Sequence, residues 1–170
     1  MGLFDYFTKR RLLKGIEKLN IGDDAIVAPV EGEMIDVSTL PDPMFAEKML
    51  GDSIAIRVLN DDCVICSPAN GVIRAIFPTG HAFGIETNEG VEILVHCGIN
   101  TVEARGEGFT LLDKKLGDKV SAGEPIVIMN NKKLQEKYDT SIILIITEPS
   151  EKTIEFIADQ NVNRGTSLLK

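Results

Sequence analysis

Tryptophan is absent from the 170 residues, aromatics make up only 5%, and there are just two histidines. A core poor in large rings must be built from the Val, Ile and Leu that dominate the 44% hydrophobic fraction, which 15 glycines and 7 prolines interrupt. Such runs, punctuated by turn formers, favour an all-β fold. A basic excess is missing too: the net charge is −8. That argues against nucleic acid as a partner, because phosphate binding needs clustered Lys and Arg, and favours a basic protein partner. No run of about 18 apolar residues could span a bilayer, and no apolar signal region opens the chain. Three cysteines, Cys63, Cys66 and Cys97, leave an odd count with no disulfide framework. The expectation is a cytoplasmic protein with free thiols.

What is present is unevenly distributed. Residues 1–19 carry Lys9, Arg10, Arg11, Lys14 and Lys18 against Asp5 and Glu17, so the acidic excess belongs to the remainder. Leu3, Phe4, Phe7, Leu12, Leu13 and Ile16 recur near helical spacing, which predicts an N-terminal amphipathic segment over 1–19, either a frayed tail or a weak contact with a membrane surface. Residues 20–170 form the domain. There, short runs such as SIAIRV, GVIRAIF, HAFGIET, VEILVHC, PIVIM and SIILIIT alternate with turn signals, the spacing of an antiparallel β-sandwich or barrel with short helices. NNKKLQEKY predicts one short helix capped by Asn130 or Asn131. A faint repeat matches APVEGEMI at 28–35 to SPANGVIRAI at 67–76, offset by 39 residues.

HAFGIETNEGVEILVHC reads as a hairpin about NEG. If Asn88 and Glu89 form a two-residue loop, Thr87 pairs with Gly90 and His81 falls opposite His96, making the two histidines neighbours. A bulge at Gly90 would shift the register by one and turn the rings to opposite faces. In the first register Val91, Ile93, Val95 and Cys97 form an apolar face, while Glu92, Leu94 and His96 form a mixed one. His81, Phe83 and Ile85 share a side.

Three chemistries compete for such a pair. One imidazole can attack phosphorus while the other donates a hydrogen bond to the phosphoryl oxygens, with Gly98 allowing close backbone approach. The pair can bind zinc with Cys97, Glu86 or another carboxylate as third ligand, but Cys97 faces away from His96 and no metal motif is present. Or the histidines are incidental to a lipoyl or biotin carrier, with Lys48 in AEKM too far in sequence from GDKVSAGEPI for a compact hairpin tip. A single C-x-x-C, CVIC at 63–66, is weak for metal or redox work.

The stretch HAFGIETNEGVEILVHCGINTVEARGEGF, 81–109, resembles the signature region of the glucose-type enzyme IIA components of the bacterial phosphoenolpyruvate-dependent sugar phosphotransferase system. APVEGEM, PDPMFAEKMLGDSIAI and GDKVSAGEPIV follow the same family in the same order, and MGLFD is similar to the start of its free-standing members. The resemblance implies a barrel-sandwich fold and a phosphotransferase that works through a phosphohistidine, with no cofactor and no metal. His96 would accept the group on Nε2 from the phosphocarrier protein HPr and pass it to the EIIB cysteine of a sugar permease. His81 would hydrogen-bond the phosphoryl group, Thr79 would orient His81, and Phe45, Phe77 and Phe83 would form an apolar rim. Asp42 matches one acidic docking residue, while Asn100 stands where the family carries aspartate. The alternative is a regulatory protein that binds clients according to its phosphorylation state.

Overall fold

The computed structural model describes residues 3–170; Met1 and Gly2 of the MGLFD start lie outside the described residues. The β-patterned runs become strands. In chain order the elements are α1 (Leu3–Leu13), β1 (Gly32–Ile35), α2 (Pro43–Ala46), β2 (Asp52–Arg57), β3 (Asp62–Cys66), β4 (Gly71–Ile76) and β5 (Ala82–Thr87). They continue with β6 (Glu92–Cys97), β7 (Phe109–Leu111), β8 (Lys119–Val120), β9 (Pro125–Asn130), α3 (Asn131–Leu134), β10 (Ile142–Glu148) and β11 (Asn161–Val162). The helix α3 starts as its sequence predicts, with the Asn130 side chain accepting from the Lys133 amide.

All pairings are antiparallel. A large sheet runs β11-β1-β2-β10-β6-β5-β4-β8 and a small one β3-β9-β7. The main core between them is aliphatic, with Phe83 its only fully buried phenylalanine among the described residues. A second apolar cluster lies on the outer face of the large sheet, where Val37, Leu40 and Phe45 cover Ala55, Ile143 and Ile145.

The faint repeat marks a pseudo-twofold axis. The Val27 amide donates to the Pro68 carbonyl and the Cys66 amide to the Pro29 carbonyl, both at 2.8 Å, so the two proline corners bond reciprocally. From there the pairing repeats: Gly32 opposes Val162 as Gly71 opposes Val120, Met34 opposes Ile56 as Ile73 opposes Ile85, and Ser53 opposes Ile145 as Ala82 opposes His96. The strand order of the large sheet reads the same from either end under this correspondence, with β6 and β10 at its centre. The match breaks at Arg74, an extra residue between Ile73 and Ala75 that bulges β4 against β5.

The helix α1 forms, but its apolar residues do not make the single stripe expected. Leu12 and Leu13 are half-buried, whereas Tyr6 and Phe7 are 53% and 57% exposed. At 100° per residue, Phe7 and Leu12 point about 140° apart. The outward side therefore combines Tyr6 and Phe7 with Arg10 and Lys14.

Candidate active site

The hairpin β5–β6 adopts the shifted register. Ala82, not His81, lies opposite His96. The cause is Gly90, whose φ of 84° accommodates a three-residue loop in which Thr87 opposes Val91: the Thr87 amide bonds the Val91 carbonyl, and the Thr87 hydroxyl accepts from the Val91 amide at 3.1 Å. A type I turn followed by a left-handed glycine gives this hairpin, whereas a two-residue loop would need a primed turn.

The expected register is thus corrected, yet the rings still meet, with centroids 5.4 Å apart and planes at 75°. Face alternation governs only a regular pleat, and His81, whose carbonyl still accepts from the Cys97 amide at 2.7 Å, precedes the strand proper. The turn Phe77–Gly80 closes with the Gly80 amide on the Phe77 carbonyl at 2.8 Å and Gly80 at φ 80°, and β5 begins only at Ala82.

Two local hydrogen bonds orient the rings. His96 Nδ1 lies 2.6 Å from the Gly98 carbonyl oxygen. A carbonyl only accepts, so the proton sits on Nδ1 and Nε2 carries the free lone pair. His81 Nδ1 lies 2.7 Å from Thr79 Oγ1; with the hydroxyl donating, Nε2 of His81 keeps its proton and becomes a donor. Burial pulls both imidazoles below their ordinary pKa; for His96 the Gly98 bond and the Asp42 charge oppose that pull and His81 adds to it. Both rings are therefore held neutral. A neutral nucleophile beside a neutral donor suits attack on an electrophile that brings its own negative charge.

The surroundings are aromatic and half-closed. Phe45 stands 5.1 Å from His96 and Phe77 5.0 Å from His81, centroid to centroid. Phe45 is placed by α2, whose N-cap Asp42 accepts from the Met44 amide at 2.9 Å with Pro43 at the first helical position. The Asp-Pro pair was the available sign of this helix, which the reading of strand periodicity passed over. Leu94, half-buried beside His96 on the mixed face of β6, packs into the Phe45 cluster.

Two expected roles change. Phe83 is 1% exposed, opposes Val95 and belongs to the main core, because the shifted register puts it with Ile85 and Ile93; it is not a rim residue. Gly98 acts through its carbonyl, since its amide is already bonded to the Ser141 carbonyl at 2.9 Å. Asn100 is exposed in the left-handed region at φ 61° and makes no capping bond to the 3-10 turn Thr101–Ala104 that follows. Among the described residues no cluster of three metal-ligating side chains occurs, and the three thiols are buried in the core, which pushes Cys63 and Cys66 up to about 12.

Residues 24–152 match the family model described as phosphoenolpyruvate-dependent sugar phosphotransferase system, EIIA 1. The chain is 37% identical over 146 residues to a glucose-specific EIIA component of Haemophilus influenzae, covering 86% of this chain and 82% of that protein. Against a glucose-specific EIICBA component of Staphylococcus carnosus it is 35% identical over 149 residues. The chain spans only 22% of that longer protein and 21% of the glucoside-specific EIICBA component of the same organism. The solved structure of glucose permease IIA from Mycoplasma capricolum superposes with a TM-score of 0.76 at 35% identity, covering 85% of this chain and 93% of that one.

Proposed function

The chain belongs to the EIIA 1 family of the phosphoenolpyruvate-dependent sugar phosphotransferase system, and from that membership we propose that His96 is its phosphoryl-carrying residue, between HPr and the EIIB domain of a glucose-type permease. The observation that carries this is the bond from His96 Nδ1 to the Gly98 carbonyl. It dictates which nitrogen is nucleophilic.

The Nε2 lone pair attacks phosphorus, and the bond from phosphorus to the donor breaks with its electron pair leaving on the donor. In the onward step the EIIB cysteine sulfur attacks the same phosphorus and Nε2 takes its pair back. His81 donates from Nε2 to a phosphoryl oxygen, and the Thr79 hydroxyl holds it in that tautomer. Such transfer is mainly positioning and charge stabilisation. Phe45, Leu94 and Phe77 limit water at the phosphohistidine.

Exposed Met44, Phe77 and Val102 come from the elements that flank the two histidines, and with Asp42 they offer an apolar, acid-bordered face to a basic partner. A regulatory client would read the same face, because phosphorylation changes its charge. Asn100 in place of aspartate removes one charge from it.

Residues 1–19 act as a segment distinct from the domain 20–170. Among the described residues no helix is long and apolar enough to cross a membrane. The outward Tyr6, Phe7, Arg10 and Lys14 of α1 instead give weak, salt-sensitive contact with anionic lipid from the cytoplasmic side. Sedimentation with anionic liposomes at low and high salt checks this: the full chain binds at low salt, and equal binding by residues 20–170 refutes it.

Reconstitution with phosphoenolpyruvate, enzyme I and HPr, read by intact mass, tests the site. One acid-labile phosphoryl group is expected on the wild type and none on His96→Gln. His81→Gln accepts the group but passes it on poorly; unimpaired transfer to EIIB would remove its assigned role.

A further inference from the structure

His81 is held by a turn, and the turn has a second wall that the two hydrogen bonds at the rings do not explain. A Cβ built on Gly80 would stand 3.0 Å from Phe109 Cβ and 3.3 Å from Val127 Cγ2. The backbone of Gly80 therefore lies flat against the side chain that starts β7. One turn back, a Cβ on Gly106 would meet the Thr79 backbone at 3.8 Å.

The wall is itself fixed. Arg105, Gly106 and Gly108 all have positive φ, at 53°, 90° and 87°. The Phe109 amide closes onto the Gly106 carbonyl, and the Gly108 carbonyl accepts from the Asn130 amide at 2.7 Å. A Cβ on Gly108 would strike Leu134 of α3 at 2.7 Å. Phe109 thus reaches Gly80 from a segment pinned to β9 on one side and α3 on the other.

We propose that Phe109 is a positioning residue for His81: by packing on Gly80 it fixes the turn that carries Thr79, and so the direction of the His81 ring. It acts through Gly80 rather than on either ring. The inference rests on the reading of His81 as the phosphoryl-stabilising donor.

A ring of the other half, at the place of Leu111 rather than of Phe109 itself, offers the control. The Phe156–Leu169 bridge repeats the pairing of Leu111 with Val127 about the pseudo-twofold axis, and Phe156 packs on the same main core as Phe109. Truncating either ring removes similar apolar burial, but only Phe109 abuts the histidine turn.

The experiment compares Phe109→Ala, the milder Phe109→Leu and Phe156→Ala in the full chain, with stability followed by urea unfolding. In Phe109→Ala the His81 ring titration, followed by NMR, moves back towards its ordinary value as the turn loosens, while that of His96 changes less. His96 is still phosphorylated to completion. The kcat of onward transfer to EIIB falls roughly tenfold with KM little changed, within the ~10²-fold that a misplacement of about 1 Å can cost. Phe109→Leu recovers most of the effect. If Phe156→Ala shifts His81 and transfer as much as Phe109→Ala, or if neither changes in Phe109→Ala, the positioning role is overturned. Should the wild type transfer nothing to EIIB, the functional reading fails, while the NMR titration still decides the packing claim.

Discussion

Where one half of the large sheet places His96 opposite Ala82, the other places Ile145 opposite Ser53; where the first has Gly80 and His81, the second has Gly51 and Asp52. The backbone plan is shared. The covering is not. The segment with Val37, Leu40 and Phe45 seals Ile145 at 1% exposure, and its last ring reaches only the edge of His96. The site occurs where a symmetric scaffold loses its cover on one side. The asymmetry is reinforced by the Arg74 bulge, which re-aims a strand beside the hairpin, and by Phe109, which props one glycine turn and not the other.

The sharpest way to break this comparison is to substitute the paired glycines. A Cβ on Gly51 would lie 2.0 Å from the Ile146 carbonyl oxygen, backbone that cannot move aside. Gly51→Ala should cost about 3 kcal/mol or more in urea unfolding while leaving phosphorylation of the folded fraction intact. Gly80→Ala meets a side chain and a φ of 80°, and should cost about 1–2 kcal/mol but slow onward transfer. A larger stability loss at Gly80, or a transfer defect confined to Gly51, would show that the halves do not divide structure from chemistry in this way.

The smallest effect is the pH dependence of stability. Both imidazoles belong to the reactive half, and burial holds both below the ordinary 6.5. The unfolded chain then binds more protons just below pH 6.5 than the folded one, so their contribution is present above that value and is lost as pH falls through the folded pKa. The combined substitution His81→Gln and His96→Gln should flatten this part of the stability profile measured by urea unfolding at pH 5 to 8. An unchanged slope would assign the acid sensitivity to carboxylates instead.

The β-sandwich class was legible in periodicity and turn chemistry, whereas the expected adjacency of the histidines rested on the unshifted register and holds for another reason, the turn that carries His81. The register was not legible, because it depends on whether Gly90 opens the second strand opposite Thr87 or joins Asn88 and Glu89 in a three-residue loop, and the alternation within each strand is the same in both. The shift moved Phe83 into the core and gave its expected place at the rim to Leu94. The axis was visible only at the proline corners, since the halves share hydrogen bonds rather than side chains. His96 and Ile145 have nothing in common as letters. The cover over the outer face was not legible because α2 is a single turn, too short to show a period, and the place of Phe109 was not because its partner is a glycine.

The proposed nucleophile, His96, rides on β6, flanked on both edges by paired strands, β10 and β5. Fraying begins at ends and edges, and the innermost strands of a sheet open last. The strand that holds the proposed phosphoryl-carrying histidine therefore belongs to the part of the sheet that opens last. On the proposed function the carrier would meet donor and acceptor as the same rigid stamp, and warming should silence transfer only near the temperature where the whole molecule gives way.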